Sequence, residues 1–380
     1  MFRSRSFLAL VQIFASLSTS ALASTPSPRC IEFTIPVTAT SINVDIPDVT
    51  FTTVQSVVDL LESTAPILNT SETSSFDISA RFCYPTKVVA SRKNTVQLLV
   101  HGITYTKSYW SALDYSPAVS NQLYSWVDFA AANGYPTLAF DRPGNGNSTR
   151  RDPFQIEQVP MHAAVTNEIV KGLKAGHFVN QKFDKVILVG HSLGSMIANN
   201  MAVTYGDFAD ALVLTGYTRF GTPTSVIESD PFPAAEFSKK FASLNSGYLV
   251  TSLESGRELA FFGRNDTFDP KVANIDFQIQ DVVGIGELVT ANSFEAPDFT
   301  GPVAVITGRQ DAAFCFVNNT VLGDCGQGAN SLPAQVSSFF PNASNFSYFV
   351  PENIGHCINL HLKAREAFAF AHSWLQSVGF

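Results

Sequence analysis

The sequence is poor in charge, and the charge that it carries is not clustered. Only 15% of the 380 residues are Asp, Glu, Lys or Arg, the formal net charge is −8, and no run of basic residues occurs. Nucleic-acid partners require a basic stripe or patch, so we exclude that class of function. Hydrophobic residues make up 45% of the chain, which indicates a folded protein rather than a disordered one.

Residues with metal-binding or nucleotide-binding chemistry are also sparse. The seven His and five Cys do not cluster at the spacings of metal ligands. The Gly-rich segment 141–148 lacks the Gly-Lys-Ser/Thr ending of a phosphate-binding loop, and no dinucleotide fingerprint is present. We therefore expect neither a metal ion nor another cofactor.

Apolar runs long enough to span a bilayer are absent, including at the N-terminus. There, Arg3 and Arg5 precede an apolar run at residues 7–17, which is too short for a membrane span. Residues 21–23, Ala-Leu-Ala, supply the small side chains that signal peptidase reads. We expect residues 1–23 to be a signal peptide of a secreted protein that keeps no stable membrane anchor. The alternative interpretation is an N-terminal membrane anchor.

Six Asn-x-Ser/Thr sequons fit an exported glycoprotein. Each sequon alone is a weak signal, because the pattern is common by chance. The six are at Asn69, Asn147, Asn265, Asn318, Asn342 and Asn345.

The cysteines suit an oxidising compartment, in which we expect two disulfides and one unpaired thiol. Cys30 and Cys83 lie in two strand-like segments and form the first expected pair. The favoured second pair is Cys315 with Cys325, because a short loop closes at low entropic cost. This pairing leaves Cys357 free. Cys315 with Cys357 is the competing pair.

Strand-like and helical segments alternate through most of the chain. Residues 30–37 and 76–84 alternate apolar and polar side chains, as half-buried strands do, and we expect a helix at 53–61 and a polar loop at 69–75 between them. Later apolar runs are continuous, which is typical of strands buried on both faces. The pattern predicts an α/β fold, a mostly parallel central sheet flanked by helices, with an antiparallel edge from the N-terminal strands. The buried runs are 96–100, 137–140, 186–189, 211–214, 303–306 and 348–350, and the helical stretches are 123–133, 162–178, 196–205 and 364–378.

Residues 217–300 separate two predicted strands that should be near neighbours. A structureless loop of this length is improbable in a compact domain, so we interpret the segment as an inserted cap. It holds ten of the 32 Phe residues, which suits an apolar lid over a pocket, although the core of a small subdomain would explain them equally. We expect a core of residues 24–216 and 301–380, and a cap that governs substrate choice more than chemistry.

Residues 190–194, Gly-His-Ser-Leu-Gly, match the pattern Gly-x-Ser-x-Gly. They follow a predicted buried strand and precede a helical stretch, which is the context of a nucleophile elbow. The turn is so tight that bulk at either flanking position would clash, hence the glycines. We predict that Ser192 is a nucleophile.

A serine hydroxyl needs a base, and the base needs an orienting acid. His356 follows the predicted strand 348–350 in a loop, so we expect it to be the base. His361 and His372 lie on the final helical stretch, where packing roles suit them better.

The acid should also follow a strand. Asp311 lies just beyond the predicted strand 303–306, and we expect it to orient the base. Asp298 precedes that strand and Asp324 lies in the expected Cys315–Cys325 loop, so both suit solvated positions.

From about residue 95 to the C-terminus, the chain resembles the α/β-hydrolase superfamily, in its capped esterase, lipase and peptidase branch. The resemblance lies in these motifs and in their order along the chain. The resemblance implies an oxyanion hole formed by the backbone N–H groups of Leu193 and Ile103, and a structural role for His101 beneath the site. It also implies a serine hydrolase that cleaves an ester, lactone or related acyl bond of a small molecule with an apolar acyl group. The matching segments are 101–102, 141–148, 190–194, 308–311 and 355–356.

Two other classes of function remain open. The same triad serves relatives that act as peptidases, lyases or acyl transferases, some of them in natural-product pathways, and the fold does not choose among these. Serine at the elbow argues against epoxide hydrolases and haloalkane dehalogenases, whose relatives carry aspartate there. A non-catalytic binding protein is disfavoured, because such relatives have usually lost a triad residue.

Overall fold

A computed structural model describes residues 27–63, 68–114, 121–219, 229–263, 266–315 and 324–380. The predicted signal peptide and the sequons at Asn265 and Asn318 lie outside this part of the chain. The described strands, numbered in chain order, are Cys30–Val44 (β1), Asn69–Cys83 (β2), Thr95–Val100 (β3), Thr137–Phe140 (β4), Lys185–His191 (β5), Ala211–Thr215 (β6), Pro231–Pro233 (β7), Tyr248–Thr251 (β8), Val283–Gly284 (β9), Val303–Ile306 (β10) and Phe346–Phe349 (β11).

Helices connect most of these strands, and none in the described ranges is both long and apolar enough to cross a membrane. A single π-helical turn among them spans Glu258–Phe262. The described α-helices are Val54–Leu61, Asn121–Tyr124, Trp126–Ala132, Val159–Ala175, Leu193–Tyr205, Ala234–Phe237, Glu254–Arg257, Pro270–Ile279, Ile285–Val289, Leu332–Gln335 and Ala364–Ser377. Short 3-10 turns lie at Ala90–Arg92, Lys107–Trp110, Ala112–Asp114, Lys239–Phe241, Gly328–Asn330, Val336–Phe339 and Ile358–Leu360.

Eight of the described strands form one sheet, in the order β1-β2-β4-β3-β5-β6-β10-β11. β2 is antiparallel to both β1 and β4, and every other neighbouring pair is parallel. The predicted mostly parallel sheet with an antiparallel N-terminal edge is therefore confirmed. Since parallel strands end at the same edge of a sheet, the loops after β3, β5, β6, β10 and β11 all meet at one edge.

The first half of β2 is a strand, and the interpretation of residues 69–75 as a polar loop is wrong. These residues pair with the second half of β1, between Thr38 and Val44. On the outer face, hydroxyl groups bond across the two strands, Thr38 to Ser75 and Thr40 to Thr73, each at 2.8 Å. Alternate residues of this ribbon face water, so the segment lacks the apolar period by which a half-buried strand is recognised.

The helical stretch 123–133 and the final predicted strand also differ from the predictions. The helical stretch 123–133 is split at Ser125, whose hydroxyl accepts a hydrogen bond from the Asp128 amide at 3.0 Å and so caps a new helix. β11 is not buried on both faces: it is the edge strand of the sheet, and all four of its residues are half-buried.

A series of hydrogen-bonded polar side chains crosses the otherwise apolar core. Gln97 lies in β3, which is buried along its whole length, and accepts a hydrogen bond from Nε1 of Trp126 at 2.8 Å. The side-chain amide nitrogen of Gln97 donates to Nε2 of His372 at 3.1 Å, and Nδ1 of His372 donates to the Phe368 carbonyl at 2.8 Å. Both ring nitrogens of a neutral imidazole are thus used. Burial lowers the pKa of His372 to about 4.

The interval between β6 and β10, which we call the insertion (residues 217–300), contains a small unit of its own. β7, β8 and β9 form a separate three-stranded antiparallel sheet. Other parts of the insertion, including Phe261 and Phe262, pack into the main hydrophobic core. The separate unit is built around an apolar cluster of Ala234, Phe241, Tyr248, Val250 and Val282.

Stability should fall on acidification because the folded state holds His372 neutral. The folded pKa of about 4 lies below the ordinary value of 6.5, so the contribution of His372 is fully present above pH 6.5 and is lost as the pH falls from 6.5 towards 4. The loss from this residue amounts to about 3 kcal/mol. Urea denaturation between pH 7 and pH 4.5 measures it. His372→Gln should flatten the decline, whereas His177→Gln, at an exposed histidine, should leave it unchanged; parallel declines in all three proteins would contradict the assignment.

Candidate active site

Ser192 occupies the turn between β5 and the helix Leu193–Tyr205. Its backbone has φ 56° and ψ −121°, a region that costs a non-glycine residue on the order of 1–3 kcal/mol. Both flanking glycines are needed for space. A Cβ on Gly190 would lie 2.6 Å from the carbonyl oxygen of Gly194, and a Cβ on Gly194 would lie 2.1 Å from that of Val100. The turn therefore packs Gly194 directly against the end of β3.

The expected base and acid are in contact. Asp311 follows β10 and His356 follows the neighbouring strand β11. Oδ2 of Asp311 accepts a hydrogen bond from Nδ1 of His356 at 2.8 Å, and Oδ1 accepts one from the Phe314 amide at 2.8 Å. Both side chains are buried. Because Nδ1 donates to the carboxylate, Nε2 carries the free electron pair in the neutral form of the imidazole, which is the form that a general base requires.

The His356 ring lies in a cluster of aromatic rings beside the Ser192 turn. Its centroid is 4.9 Å from that of His191, 5.6 Å from that of Phe261 and 5.5 Å from that of Phe314. Gly216, directly after β6, leaves room for this arrangement: a Cβ there would lie 3.0 Å from Cε1 of His356 and 2.9 Å from Cε1 of His191. Sequence reasoning missed Gly216 and Phe261, because they meet the site only through the fold.

His191, the residue before Ser192, is a neutral spacer between two rings. It stacks on Tyr109 with centroids 4.4 Å apart and an interplanar angle of 12°. Its Nδ1 lies 3.2 Å from Oγ1 of Thr215, whose own proton goes to the Gly190 carbonyl at 2.9 Å; the ring is therefore the donor. Burial lowers the pKa of His191. The pattern Gly-x-Ser-x-Gly carries no signal for this role, because the position is variable in it.

The loop after β3 passes beside Ser192. A Cβ on Gly102 would lie 2.9 Å from Cβ of Ser192. Leu193 is the first residue of its helix, so its amide has no acceptor within that helix. The amides of Ile103 and Leu193 thus belong to two segments that adjoin Ser192, and both stay predicted oxyanion-hole donors.

His101 holds this loop from below. Its Nε2 accepts a hydrogen bond from the Arg142 amide at 3.1 Å, and its Nδ1 donates to the Gly102 carbonyl at 2.9 Å. Burial, together with the charge of Arg142, lowers the pKa of His101. The ring is therefore a neutral structural link between two loops at the site.

The other histidine and aspartates that the sequence offered as candidates do not take part in the contact between Asp311 and His356. His361 is buried just before the final helix rather than on it. Its Nε2 accepts a hydrogen bond from the Gly355 amide at 2.9 Å and its Nδ1 donates to the Cys357 carbonyl at 2.8 Å, so it shapes the loop that carries the expected base. Asp298 and Asp324 are both exposed.

Comparison with known families assigns the chain to one of them. A model of the alpha/beta hydrolase family matches residues 97–369, which is more than half of the chain. The protein belongs to the alpha/beta hydrolase family. The match begins within β3, continues past β11 and includes every residue of the site described above. Among curated proteins, none matches the sequence of this alpha/beta hydrolase.

Solved structures share the fold at low sequence identity. An esterase from Thermogutta terrifontis is 15% identical, with a TM-score of 0.52 over 80% of this chain and 95% of that one. A bromoperoxidase from Bacillus anthracis is 15% identical, with a TM-score of 0.53 over 80% of this chain and 96% of that one. A hydrolase from Pseudomonas aeruginosa is 15% identical, with a TM-score of 0.51 over 80% and 95% of the two chains. At this identity the similarity concerns the fold alone.

Two disulfides brace this hydrolase. Cys30 is bonded to Cys83, which joins the paired ends of β1 and β2, and Cys315 is bonded to Cys325 in the loop that follows the acid. The alternative of Cys315 with Cys357 is therefore not the pairing in the structure. Cys357 is a buried free thiol, and burial raises its pKa well above the ordinary value.

Gly216→Ala should slow the reaction of this hydrolase with a fluorophosphonate probe by about tenfold or more, because misplacing a reacting group by about 1 Å has effects of this size or larger. The added Cβ would press on the rings of His191 and His356. Gly328→Ala is the matched control: φ is +54° at Gly216 and +65° at Gly328, but a Cβ at Gly328 meets nothing within 4 Å. Labelling rates measured at equal concentrations of folded protein compare the two. Equal rates would contradict the crowding argument.

Proposed function

We propose that this alpha/beta hydrolase is a secreted serine hydrolase that cleaves an ester, lactone or related acyl bond of a small molecule through an acyl-enzyme. The observation that carries the proposal is the 2.8 Å hydrogen bond between buried Asp311 and His356, beside the strained turn at Ser192. Strained backbone persists where the surroundings impose it, and such positions cluster at active sites. A serine, a histidine and an aspartate in this order along the chain also fit the triad order of the fold.

In the proposed reaction, Oγ of Ser192 attacks the carbonyl carbon while Nε2 of His356 takes the hydroxyl proton. The amides of Leu193 and Ile103 donate to the oxyanion of the tetrahedral intermediate, and one such donor is typically worth roughly 10²–10³ in rate. Asp311 keeps the imidazole oriented and stabilises its cationic form. The intermediate collapses when His356 passes the proton to the leaving oxygen. A water molecule, deprotonated by His356, then attacks the acyl carbon. As this second tetrahedral intermediate collapses, the bond from the acyl carbon to Oγ of Ser192 breaks, His356 returns the proton to Oγ, and the acid product leaves.

An apolar acyl or alkyl group suits the surroundings of the base. Phe314 stacks on His356 from the loop after β10, and Phe261 approaches it from the insertion. Because the insertion contributes a ring at this point, we assign it the part of a cap over the site. An aromatic wall of this kind favours apolar substrate groups through burial of their surface.

Secretion is supported by the two disulfides, the exposed sequons and the predicted signal peptide. The two disulfides are typical of proteins that fold in an oxidising compartment. The asparagines of the four sequons within the described ranges, at Asn69, Asn147, Asn342 and Asn345, are exposed and so accessible to glycosylation. The predicted signal peptide at residues 1–23 supplies the route of export.

Substitution of the three proposed catalytic residues should remove turnover of p-nitrophenyl esters. Ser192→Ala and His356→Ala should each lower kcat by about 10⁶, below detection, and Asp311→Asn should lower it by about 10⁴, because the imidazole loses its orienting partner. Steady-state kinetics on short and medium acyl chains provide the measurement.

Two histidine variants provide the controls for this experiment. His177→Ala changes an exposed histidine and should retain the parental kcat. An inactive His361→Ala beside an active His356→Ala would show that the base is wrongly assigned. Residual activity of more than a few per cent in Ser192→Ala would place the nucleophile elsewhere. Preferential turnover of amides or cyanohydrins over esters would assign the peptidase or lyase reaction instead.

A further inference from the structure

The loop that carries the proposed oxyanion donor Ile103 is held by residues of the insertion. Thr104, the next residue, has φ +56°, a conformation that a β-branched residue keeps only when its neighbours impose it. Its carbonyl accepts a hydrogen bond from the Asp281 amide at 2.8 Å, and its Oγ1 accepts one from Nη1 of Arg257 at 2.8 Å. Both donors belong to the insertion, so the insertion determines where this turn of the loop lies.

Arg257 is itself rigidly oriented. Nε donates to Oδ2 of Asp276 at 2.6 Å and Nη2 donates to Oδ1 at 3.2 Å, and neither side chain is more than 1% exposed. Its Nη1 also donates to Oγ1 of Thr251 at 3.1 Å. This bidentate ion pair with Asp276 fixes the plane of the guanidinium, which leaves Nη1 directed at Thr104. A lysine could keep the charge but not this geometry.

A second arginine holds the other end of the same loop. Nη2 of Arg142 donates to the Gly102 carbonyl at 3.1 Å. Nη1 of Arg142 is paired with Glu287, which lies in the insertion and also accepts a hydrogen bond from the Gly284 amide at 2.8 Å. Arg142 and Glu287 are both buried. The residues on both sides of Ile103 are therefore tied to buried ion pairs that include an acid of the insertion.

We propose that Arg257, oriented by Asp276, is a positioning residue of the oxyanion hole: it fixes Thr104 and through it the amide of Ile103. The inference rests on the proposed function, because it assigns a supporting residue to that same site. The insertion then supports the chemical step itself, in addition to any part in substrate choice. The expectation from the sequence, that the insertion governs substrate choice more than chemistry, stays a prediction beside this proposal.

Thr104→Val and Arg257→Lys test the positioning role. Valine keeps the volume of threonine but accepts no hydrogen bond, and Arg257 keeps Thr251 as a partner for Nη1. Each variant should lower kcat per active site by about 10- to 100-fold, somewhat less than the direct loss of an oxyanion donor, while KM changes by less than about threefold. Glu254→Gln is the matched control, because Glu254 is exposed and lies on the same short helix, Glu254–Arg257. It should retain the parental kcat.

Two readouts separate positioning from a general loss of structure. Titration with a fluorophosphonate counts competent active sites, so that kcat is expressed per site. An alkyl trifluoromethyl ketone, which forms a tetrahedral oxyanion on the serine, should bind the variants more weakly in proportion to their loss of kcat/KM. A merely structural role would lower the number of sites or Tm and leave kcat per site and ketone affinity unchanged.

The inference is overturned if Thr104→Val and Arg257→Lys both keep kcat per site within twofold of the parent. A rise in KM at constant kcat also overturns it, since it would assign the pair to substrate binding. If Arg257→Lys fails to fold, the volume-conserving Thr104→Val decides. A parent that neither hydrolyses esters nor reacts with fluorophosphonate overturns the proposed function and this inference with it, whereas an active parent with unaffected variants overturns the inference alone.

Discussion

The close approach of Gly194 to the end of β3 is the contact on which the site depends. A Cβ at position 194 would lie 2.1 Å from the Val100 carbonyl oxygen, so the helix after β5 can start there only if this residue has no side chain. The approach brings Ser192 against Gly102, at the start of the loop after β3. Two segments that are about ninety residues apart in the chain thus meet at one corner, which holds the proposed nucleophile Ser192 and the segment of the proposed oxyanion donor Ile103.

Parallel strands supply the remaining groups at the same edge. β10 and β11 are neighbours, so the loops that directly follow these strands bring Asp311 into contact with His356. β6 ends between these strands and β5, and Gly216 lets the rings of His191 and His356 approach each other. The site at the carboxyl edge of the sheet is therefore formed by loops that are widely separated in the sequence.

Burial around this edge sorts the ionisable groups by role. The pKa values of His101, His191 and His361 are all lowered by burial, so these rings act as neutral links and spacers. The two buried arginines stay protonated, unlike these histidines, because arginine does not lose its proton in proteins. Each has a carboxylate partner, Glu287 for Arg142 and Asp276 for Arg257. A buried charge without a partner is strongly destabilising. Both pairs also bind the loop after β3, so the same interactions that neutralise the arginines hold the insertion and the loop together.

The sequence by itself determined the kind and order of the central elements, because apolar runs directly report burial: the runs 137–140 and 303–306 are the strands β4 and β10 with those bounds. It also placed Asp311 and His356 in loops after strands. It failed at residues 69–75, where an exposed ribbon shows no apolar period, and it gave no sign of Gly216 or Arg257. Only the tertiary structure decided what these residues meet. The physical reason is that side-chain periodicity records which face of an element is buried, whereas the partner found there depends on segments far away in the chain.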